Sequence, residues 1–259
     1  MINYQIKESA EEYDAIIVGS GAGGGMAGYI LAHAGLKVLM LEAGPYFDPA
    51  KDSLQLRWPW ESPRRGAGTT RPFGDFDAAF GGWELEGEPY TKAAGTEFDW
   101  FRARMLGGRT NHWGRISLRM GPEDFKPKDG LTTEWPISYD EVKPFYDRVD
   151  RMIGVYGTAE GIHNEPDGIF MKPPKPRLNE LYIAKGAKKA GVPVIPGRGA
   201  VLTEALPGNS GRGTCFYCGQ CGRSCKVYGD FSSSSCLVFP AMKTGNLTVV
   251  DNAMVREVL

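Results

Sequence analysis

The sequence lacks the features that mark a membrane-spanning, nucleic-acid-binding or secreted protein. Its 259 residues contain no apolar run close to the roughly 18 residues that a membrane span needs. Residues 1–14 are polar and acidic, without the apolar segment of a signal peptide. The formal net charge is −1, which gives no electrostatic reason to expect nucleic acid or an anionic membrane as a partner. We therefore expect a cytoplasmic protein without direct membrane insertion. Co-export to the periplasm with a signal-bearing partner is the alternative.

Cysteine is scarce and confined to one stretch. All five cysteines lie between Cys215 and Cys236, which argues against a disulfide framework spread over the fold and indicates a local site. Glycine and proline, in contrast, number 35 and 18 residues, and they predict a loop-rich protein outside a regular core. A chain of this length can form one large domain or two small ones.

Residues 13–45 predict a complete β–α–β unit. An apolar run from Ala15 to Val18 has the composition of a strand. The Ala-, Gly- and Leu-rich segment after it has the length of a helix, and Gly35 lies where such a helix would end. A second apolar strand is predicted at 37–41, and its last residue is followed by Glu42.

The turn between the first strand and the helix fits the pattern G-x-G-x-x-G at Gly19, Gly21 and Gly24. The first glycine permits a tight turn, the second lets the backbone approach a pyrophosphate, and the third allows close packing of helix on sheet. The helix N-terminus offers N–H groups to the phosphates. Glu42 lies about 20 residues further on, where a carboxylate can accept hydrogen bonds from ribose hydroxyls. We predict an α/β fold with a Rossmann-like FAD/NAD(P)-binding βαβ domain, in which these four residues hold the ADP half of the cofactor.

The end of the second strand favours FAD. The sequence Glu42-Ala-Gly-Pro45, in a unit so close to the N-terminus, resembles FAD-binding flavoproteins more than nicotinamide dehydrogenases. An NAD(P)-dependent oxidoreductase is the alternative. A second glycine-rich turn speaks against it, because Gly107-Gly108 is followed by Arg, Thr, Asn111 and His112, a donor-rich sequence suited to a phosphate or a ring edge. An ordinary loop turn is the alternative for this segment taken alone.

Taken with the β–α–β unit, the second turn resembles the second flavin-contacting segment of the glucose–methanol–choline (GMC) oxidoreductases. These FAD enzymes oxidise alcohols and sugars. The chain is most similar to the sugar dehydrogenases and pyranose oxidases, whose matching segment ends in His-Trp and in some enzymes carries a histidyl–flavin bond. The resemblance implies that His112 lies against the flavin and that the backbone of Val255 contacts the adenine. The cofactor-binding residues implied outside the first glycine turn are Arg104, Gly108, Asn111, His112 and Val255.

The rest of the chain predicts a long, loop-rich and partly helical excursion. Residues 46–100 show no sustained period and predict an extended aromatic-rich segment. A capping box predicts a helix that begins at Ser138 and ends at Gly154, and a second helix is predicted over 179–190. The predicted apolar face of the first helix consists of Val142, Phe145, Tyr146, Val149, Met152 and Ile153. Residues 245–259 predict two short strands.

We expect the chain to consist of three regions. Residues 1–120 would form the first part of the FAD-binding domain, and residues 121–200 would form the helical and loop excursion, as part of a substrate or cap region. Residues 201–259 would contain the cysteine segment and the strands that return to the FAD-binding domain.

Four cysteines form a C-x2-C-x2-C-x3-C run: Cys215, Cys218, Cys221 and Cys225. Thiolates at these spacings can surround one soft metal centre, which predicts a [4Fe–4S] or [3Fe–4S] cluster. The next residue is Lys226 rather than the proline of the bacterial ferredoxin run. Zinc, a redox disulfide and inert thiols are the alternatives. Some GMC sugar dehydrogenases carry an iron–sulfur cluster in the flavin subunit, and this stretch is similar to theirs. Cys236 is expected to be a buried core thiol.

The resemblance implies an FAD-dependent oxidoreductase of the GMC type that acts on CH–OH groups of sugars or other alcohols. Electrons would pass through the cluster to an external acceptor such as a cytochrome or a small subunit. GMC enzymes take the substrate's proton with a histidine near their C-terminus, and neither His33 nor His163 matches that position. We therefore expect the N-terminal, FAD-binding half of such an enzyme, with no catalytic residue in this chain and the C-terminal substrate domain absent. A non-catalytic flavin and iron–sulfur electron-transfer module is the alternative.

Overall fold

The computed structural model divides into two compact units. The residues described are 11–62, 93–96, 102–130, 133–208 and 211–258. Of these, the first unit contains 11–48, 93–96, 102–110 and 232–258, and the second contains 49–62, 111–130, 133–208 and 211–231. Much of the predicted aromatic-rich excursion, 63–92 and 97–101, lies outside the described residues.

The first unit contains strands β1 (Ala15–Val18), β2 (Val38–Leu41) and β5 (Leu247–Val250) and helices α1 (Ala22–His33) and α6 (Phe239–Met242), with a π-helix at Ser234–Val238. The second unit contains strands β3 (Val155–Tyr156) and β4 (Phe170–Met171) and helices α2 (Pro49–Asp52), α3 (Pro122–Phe125), α4 (Tyr139–Ile153) and α5 (Leu178–Lys189). Short 3-10 helices lie at Pro59–Glu61, Gly108–Asn111 and Cys221–Arg223.

A three-stranded parallel sheet forms the centre of the first unit. Its strand order is β1-β2-β5, so that β2 is paired on both sides. Val38 lies opposite Ala15 in one pair and opposite Leu247 in the other. The α1 crossover joins β1 to the parallel β2, which confirms the predicted β–α–β unit and the α/β fold.

The apolar residues of β2 and α1 meet in a dense core. Val38 and Met40 of β2 are fully buried, as is Ala32 of α1. A side chain at Gly28 of α1 would lie 2.9 Å from the Met40 side chain, so this glycine lets the helix lie close to the sheet. The buried core of this unit comprises Ala32, Val38, Met40, Phe47, Met105, Leu106, Val238, Ala241 and Leu247.

The prediction of two strands over 245–259 is wrong for the described residues, where β5 is the only strand of this segment. Asn252 adopts φ = +51°, a left-handed conformation that turns the backbone out of the strand. The N–H groups of Asn252 and Ala253 then donate to the carbonyls of Gly44 and Glu42, at 2.9 and 2.8 Å. The segment that leads to Val255 therefore runs beside the end of β2.

The two predicted helices of the second unit are confirmed. Ser138 and Glu141 form the capping box of α4, with the Ser138 N–H 2.8 Å from the glutamate carboxylate, and Gly154 caps the C-terminal end of the helix. The predicted apolar face is wrong at Phe145, which is 65% exposed. The buried side of α4 includes Asp150, which is paired with the buried Arg119. Phe145 and Asp150 lie on largely opposite sides of a helix with about 3.6 residues per turn, so burying Asp150 turns Phe145 outward.

Helix α5 begins at Leu178 and ends at Lys189, and none of its residues is buried. In the part of the chain that the structure describes, no helix combines the length and the apolar character required to cross a bilayer.

Candidate cofactor and cysteine sites

The three glycines of the first turn have the three properties that the sequence predicts. Gly19 has φ = +88°, which favours glycine in the turn that follows β1. A side chain on Gly24 would collide with the carbonyl oxygen of Gly19 and approach the Ile17 side chain to 3.1 Å. A side chain on Gly21 would meet no atom within 4 Å. The turn is thus closed on the sheet side and open at Gly21, where α1 begins and its first N–H groups lack intrahelical partners.

Glu42 holds the same turn from the end of β2. One of its carboxylate oxygens accepts hydrogen bonds from the Ser20 N–H, at 3.0 Å, and from the Ser20 hydroxyl. The other accepts from the Gly44 N–H at 2.9 Å. A carboxylate has about four acceptor positions, so three are used inside the protein. Binding of a ribose by Glu42 stays a prediction that would use the remaining position.

The second glycine turn lies against the first. The Gly107 N–H donates to the Ser20 hydroxyl at 2.8 Å. Gly108 has φ = +54°, and a side chain there would lie 3.6 Å from the Cα of Gly21. The structure therefore brings Gly108 to the open side of Gly21. The sequence implied a cofactor-binding role for Gly108 through the family resemblance, but not this contact.

Ser20 and Ser233 were not predicted as site residues. Ser20 is fully buried and connects Glu42 to the Gly107 N–H. Ser233 begins the helical segment that contains the π-helix, and its hydroxyl donates to the carbonyl of Ser20 at 2.7 Å and lies 3.1 Å from that of Gly21. A serine in G-S-G and a run of four serines were the available signals, but neither specifies a partner so distant in sequence.

Arg104 also lies in the first unit. A side chain on Gly44 would collide with the backbone of Arg104 and Met105, so the 42–44 turn packs directly on this segment. Val255 follows the residues that bond to the same turn, and it is half-buried. Both predicted cofactor residues thus belong to segments beside the end of β2, and their contact with a cofactor stays a prediction.

Asn111 and His112 belong to the second unit, where both are buried. The His112 Nδ1 lies 3.0 Å from the carbonyl oxygen of Gly222, and the Ser224 hydroxyl donates to the Asn111 carbonyl at 3.0 Å. A carbonyl can only accept, so this contact places a proton on Nδ1. The sequence did not predict that His112 would bond to the cysteine run, and its contact with a flavin stays a prediction.

The four cysteines of the run line one cavity. Gln55, Val201, Phe216, Gly219, Gly229 and Asp230 line it with them. All four are free thiols, and Cys236 is a separate buried thiol in the π-helix, as predicted. The spacing in the sequence therefore does bring Cys215, Cys218, Cys221 and Cys225 to a common place.

The cavity favours the neutral thiol at Cys215 and at Cys221 in the absence of a bound cation. Burial raises the pKa of Cys221 to about 11; the Arg115 cation opposes this rise, while Asp230, Cys215 and Cys218 add to it. Burial likewise raises the pKa of Cys215, whose sulfur lies 3.4 Å from the Tyr217 N–H. The charges of Cys225 and Cys218 raise the pKa of Cys215, and those of Cys215 and Cys218 raise the pKa of Cys221, which reflects the proximity of these thiols. A positively charged metal centre would reverse this preference and bind the thiolates.

A buried ion pair frames the cavity. Arg115 and Asp230 are 2% and 3% exposed and are joined through Nε and an Nη of the arginine, with Nε 2.8 Å from the carboxylate. The same guanidinium donates to the backbone carbonyl of Cys221 at 3.1 Å and to that of Trp113 at 2.7 Å. The pair therefore fixes the middle of the cysteine run to the segment that contains His112.

The backbone around the cysteine run is strained. Among the described residues, six non-glycine residues have positive φ, and five of them belong to the second unit: Leu56, Arg115, Tyr217, Ser224 and Tyr228. Each lies in the run or bonds to it, as the Leu56 N–H does to Gln220 and the Tyr228 N–H to Cys225. Such conformations cost about 1–3 kcal/mol each and persist where the surroundings impose them, often at functional sites.

A metal site is not preformed in the described part of the chain. No group of three or more His, Cys, Asp or Glu side chains there is arranged to hold a metal ion. The donor chemistry nevertheless fits an iron–sulfur cluster, because four free thiols face one cavity. A cluster distributes its thiolates over several irons, so its ligands do not need to converge on one ion.

Comparisons with known proteins agree with the first site. A family model described as an FAD binding domain matches residues 14–51, which contain the first glycine turn and Glu42. Paromamine 6'-oxidase of Streptomyces fradiae is 31% identical over 163 residues, which are 61% of this chain and 26% of that protein. The 2-methyl-1,2-propanediol dehydrogenase of Mycolicibacterium austroafricanum is 29% identical over 216 residues, 77% of this chain and 35% of that protein.

The large subunit of fructose dehydrogenase from Gluconobacter japonicus is 28% identical over 180 residues, 64% of this chain and 30% of that protein. The chain thus spans about a quarter to a third of the length of these relatives. Pyridoxine 4-oxidase from Mesorbium loti has a similar fold, with a TM-score of 0.52 at 17% identity over 93% of this chain and 42% of that one. By its fold, its family model and its relatives, the chain resembles the FAD-binding part of FAD-dependent oxidoreductases of the GMC type.

Proposed function

We propose that this chain is the flavin-binding part of an FAD-dependent oxidoreductase that acts on CH–OH groups of sugars or other alcohols. One observation carries the proposal: the Gly107–Gly108 turn lies on the open side of Gly21, so that two glycine turns and the start of α1 form one cradle. A pyrophosphate needs such a place, where backbone N–H groups can approach it without side chains between.

The residues of this cradle would bind and orient the ADP half of FAD. Gly21 leaves room for the pyrophosphate, and the first turn of α1 presents N–H groups and the positive end of its dipole. Glu42 would accept a ribose hydroxyl with its remaining acceptor position, while Ser20 holds its carboxylate in place. When bound, FAD supplies an acceptor for the hydride of the substrate carbon.

Arg104, Gly108, Asn111, His112 and Val255 are proposed as further cofactor-binding residues. The assignment of Gly108 is supported by its proximity to Gly21. The assignments of Arg104 and Val255 are supported by their positions beside the 42–44 turn. For Asn111 and His112 the support is the sequence resemblance. Acid precipitation separates two forms of the His112 proposal, because a flavin bonded to the histidine stays in the pellet and an unbonded one stays in the supernatant.

The four cysteines are proposed to hold a [4Fe–4S] or [3Fe–4S] cluster. The common cavity, the free thiols and the strained backbone around them support this assignment over inert thiols. A cluster supplies a one-electron carrier, which would pass electrons to an external acceptor such as a cytochrome or a small subunit. Its thiol ligands must stay reduced during assembly, which is consistent with assembly in the cytoplasm.

The general base for the substrate hydroxyl is proposed to come from outside these residues. His33 is placed on α1 with its Nδ1 2.8 Å from the Tyr29 carbonyl, and His163 is exposed, 3.6 Å from Glu123. His112 is buried and bonded to Gly222. A base of this kind contributes about 10²–10⁴-fold to the rate. We therefore expect no turnover of alcohols or sugars by this chain alone.

Flavin retention tests the proposal. Gly21→Val places a side chain in the open cradle, and we expect the purified variant to lose its flavin. Gly186→Val is the matched control, because a side chain at this exposed glycine of α5 meets no atom within 4 Å and lies in the other unit. Wild type and the control should retain flavin equally. A full complement of flavin in Gly21→Val would contradict the cradle assignment.

A further inference from the structure

The segment from Ser53 to Leu56 is hydrogen-bonded to the cysteine run, although the two segments lie more than 150 residues apart in the sequence. The Ser53 hydroxyl lies 2.8 Å from the carbonyls of both Arg223 and Ser224. The Leu56 N–H donates to the Gln220 side-chain oxygen at 2.8 Å. Both partners belong to the second unit, so these bonds form one local structure.

Gln55 contributes two further contacts between these segments. It is 1% exposed and lines the cysteine cavity. Its Nε2 lies 3.1 Å from the sulfur of Cys218, and its Oε1 lies 2.8 Å from the backbone N of Lys226. A backbone N–H can only donate, so the atom that faces Lys226 must be the amide oxygen. The NH₂ group therefore points at the sulfur, and the orientation of the amide follows from its partners.

The Gln55 amide is the single side-chain N–H donor among the described residues that line the cavity. The remaining lining residues are the four cysteines, Val201, Phe216, Gly219, Gly229 and the carboxylate of Asp230. An N–H group that points at a thiolate sulfur stabilises negative charge on it, and hydrogen bonds of this kind are among the factors that set the potential of an iron–sulfur centre.

We propose that Gln55 is a positioning residue that holds Cys218 and raises the reduction potential of the metal centre. The proposal rests on the proposed function only for the presence of that centre. Reduction adds one electron to the centre, which places more negative charge on the sulfur ligands. The Gln55 N–H stabilises this reduced state more than the oxidised one, so removing the donor lowers the potential.

Two substitutions separate the donor from the structural contact. Gln55→Glu keeps the shape and the oxygen that accepts from Lys226, but it replaces the NH₂ group with a carboxylate oxygen, whose negative charge lowers the potential further. Gln55→Leu loses both the oxygen and the NH₂ group. The matched control is Gln220→Leu, which removes a hydrogen bond between the same two segments without removing a donor to sulfur. The potential is measured by a dye-mediated titration of the iron-loaded protein, followed by absorbance. Hydrogen exchange of the Lys226 amide is measured in the metal-free protein.

We expect both Gln55 variants to have a lower potential than wild type, and Gln220→Leu to match wild type. Lys226 should exchange faster in Gln55→Leu but not in Gln55→Glu. Gln55→Leu removes the donor without adding charge, so an unchanged potential in this variant would overturn the proposal, as would an unchanged potential in Gln55→Glu. Iron analysis of wild type comes first: its failure to bind iron would contradict the proposed cluster and this role together, whereas unchanged potentials in iron-loaded variants contradict the role of Gln55 alone.

Discussion

In the first unit, backbone segments approach one another to form the cradle, and glycines occupy the positions of the cradle that need positive φ. Gly19, Gly107 and Gly108 adopt this conformation there at little steric cost. In the second unit, residues with side chains adopt it around the cysteine cavity, and buried side chains hold them in place. The shape of the cradle thus depends on positions that have no side chain. The cysteine site is specified by a network of side chains, and it depends on that network to maintain a strained backbone.

The largest change in stability is expected when the buried ion pair of the cysteine site is broken. Arg115→Met leaves Asp230 buried without its cation, and removing one partner of a buried pair costs about 3–5 kcal/mol. We expect a loss of this size in the free energy of unfolding, measured with urea. Arg57→Met is the control, because its pair with Glu61 is 45% and 35% exposed and contributes about 1 kcal/mol or less. Equal losses in the two variants would contradict the account.

The next test compares two glycines of α1. Gly24→Ala drives a methyl group into the Gly19 carbonyl, and overpacking of this kind costs about 1–3 kcal/mol. Gly23→Ala adds the same methyl group where nothing lies within 4 Å, and alanine favours a helix over glycine by up to about 1 kcal/mol. Urea unfolding should therefore show effects of opposite sign. If Gly24→Ala left the free energy of unfolding unchanged, the helix would not need to lie so close to the turn.

Much of the cradle was predictable because its signal is local. Gly19, Gly21 and Gly24 lie within one turn, and each spacing has its own steric reason. The contacts of Ser20 with Gly107 and Ser233 were not predictable, since serine specifies no partner and these join residues 87 and 213 positions apart. The spacing of the cysteines predicted their common cavity, but not Gln55, which lies 163 positions from Cys218. The exposure of Phe145 was missed because hydrophobic periodicity does not register a buried ion pair such as Asp150 with Arg119.

Relieving the backbone strain at the cysteine run should have a smaller effect, in which a glycine substitution does not lower the free energy of unfolding. Tyr217 is 52% exposed with φ = +59°, a conformation that costs an L-residue about 1–2 kcal/mol. Tyr217→Gly relieves this strain, so we expect the free energy of unfolding to stay the same or to rise by up to about 1 kcal/mol. Tyr182→Gly in α5, where the tyrosine is 80% exposed, should lower it by about 0.5 kcal/mol. Similar losses in both variants would show that Tyr217 is not strained.

The smallest expected effect concerns an ion pair that belongs to neither site. Burial opposes ionisation of Asp147, but bonding to Arg119 outweighs it and holds the pKa of this carboxyl below its ordinary value. A lowered folded-state pKa gives stability that is present above the unfolded pKa of about 3.9 and is lost as the pH falls through the folded value. Asp147→Asn should therefore be less stable than wild type at neutral pH, and the difference should vanish in acid. A difference that persists at the lowest pH at which wild type is folded would contradict the ionic origin.

We propose that one chain carries both a flavin cradle and an iron–sulfur site, built in these two ways. The most direct measurement is the visible absorption spectrum of anaerobically purified protein, with quantified flavin, iron and acid-labile sulfide. The account predicts flavin bands above a broad iron–sulfur absorption, with iron and sulfide in the ratio of a [3Fe–4S] or [4Fe–4S] cluster. A colourless protein that contains stoichiometric zinc and neither flavin nor iron would contradict it.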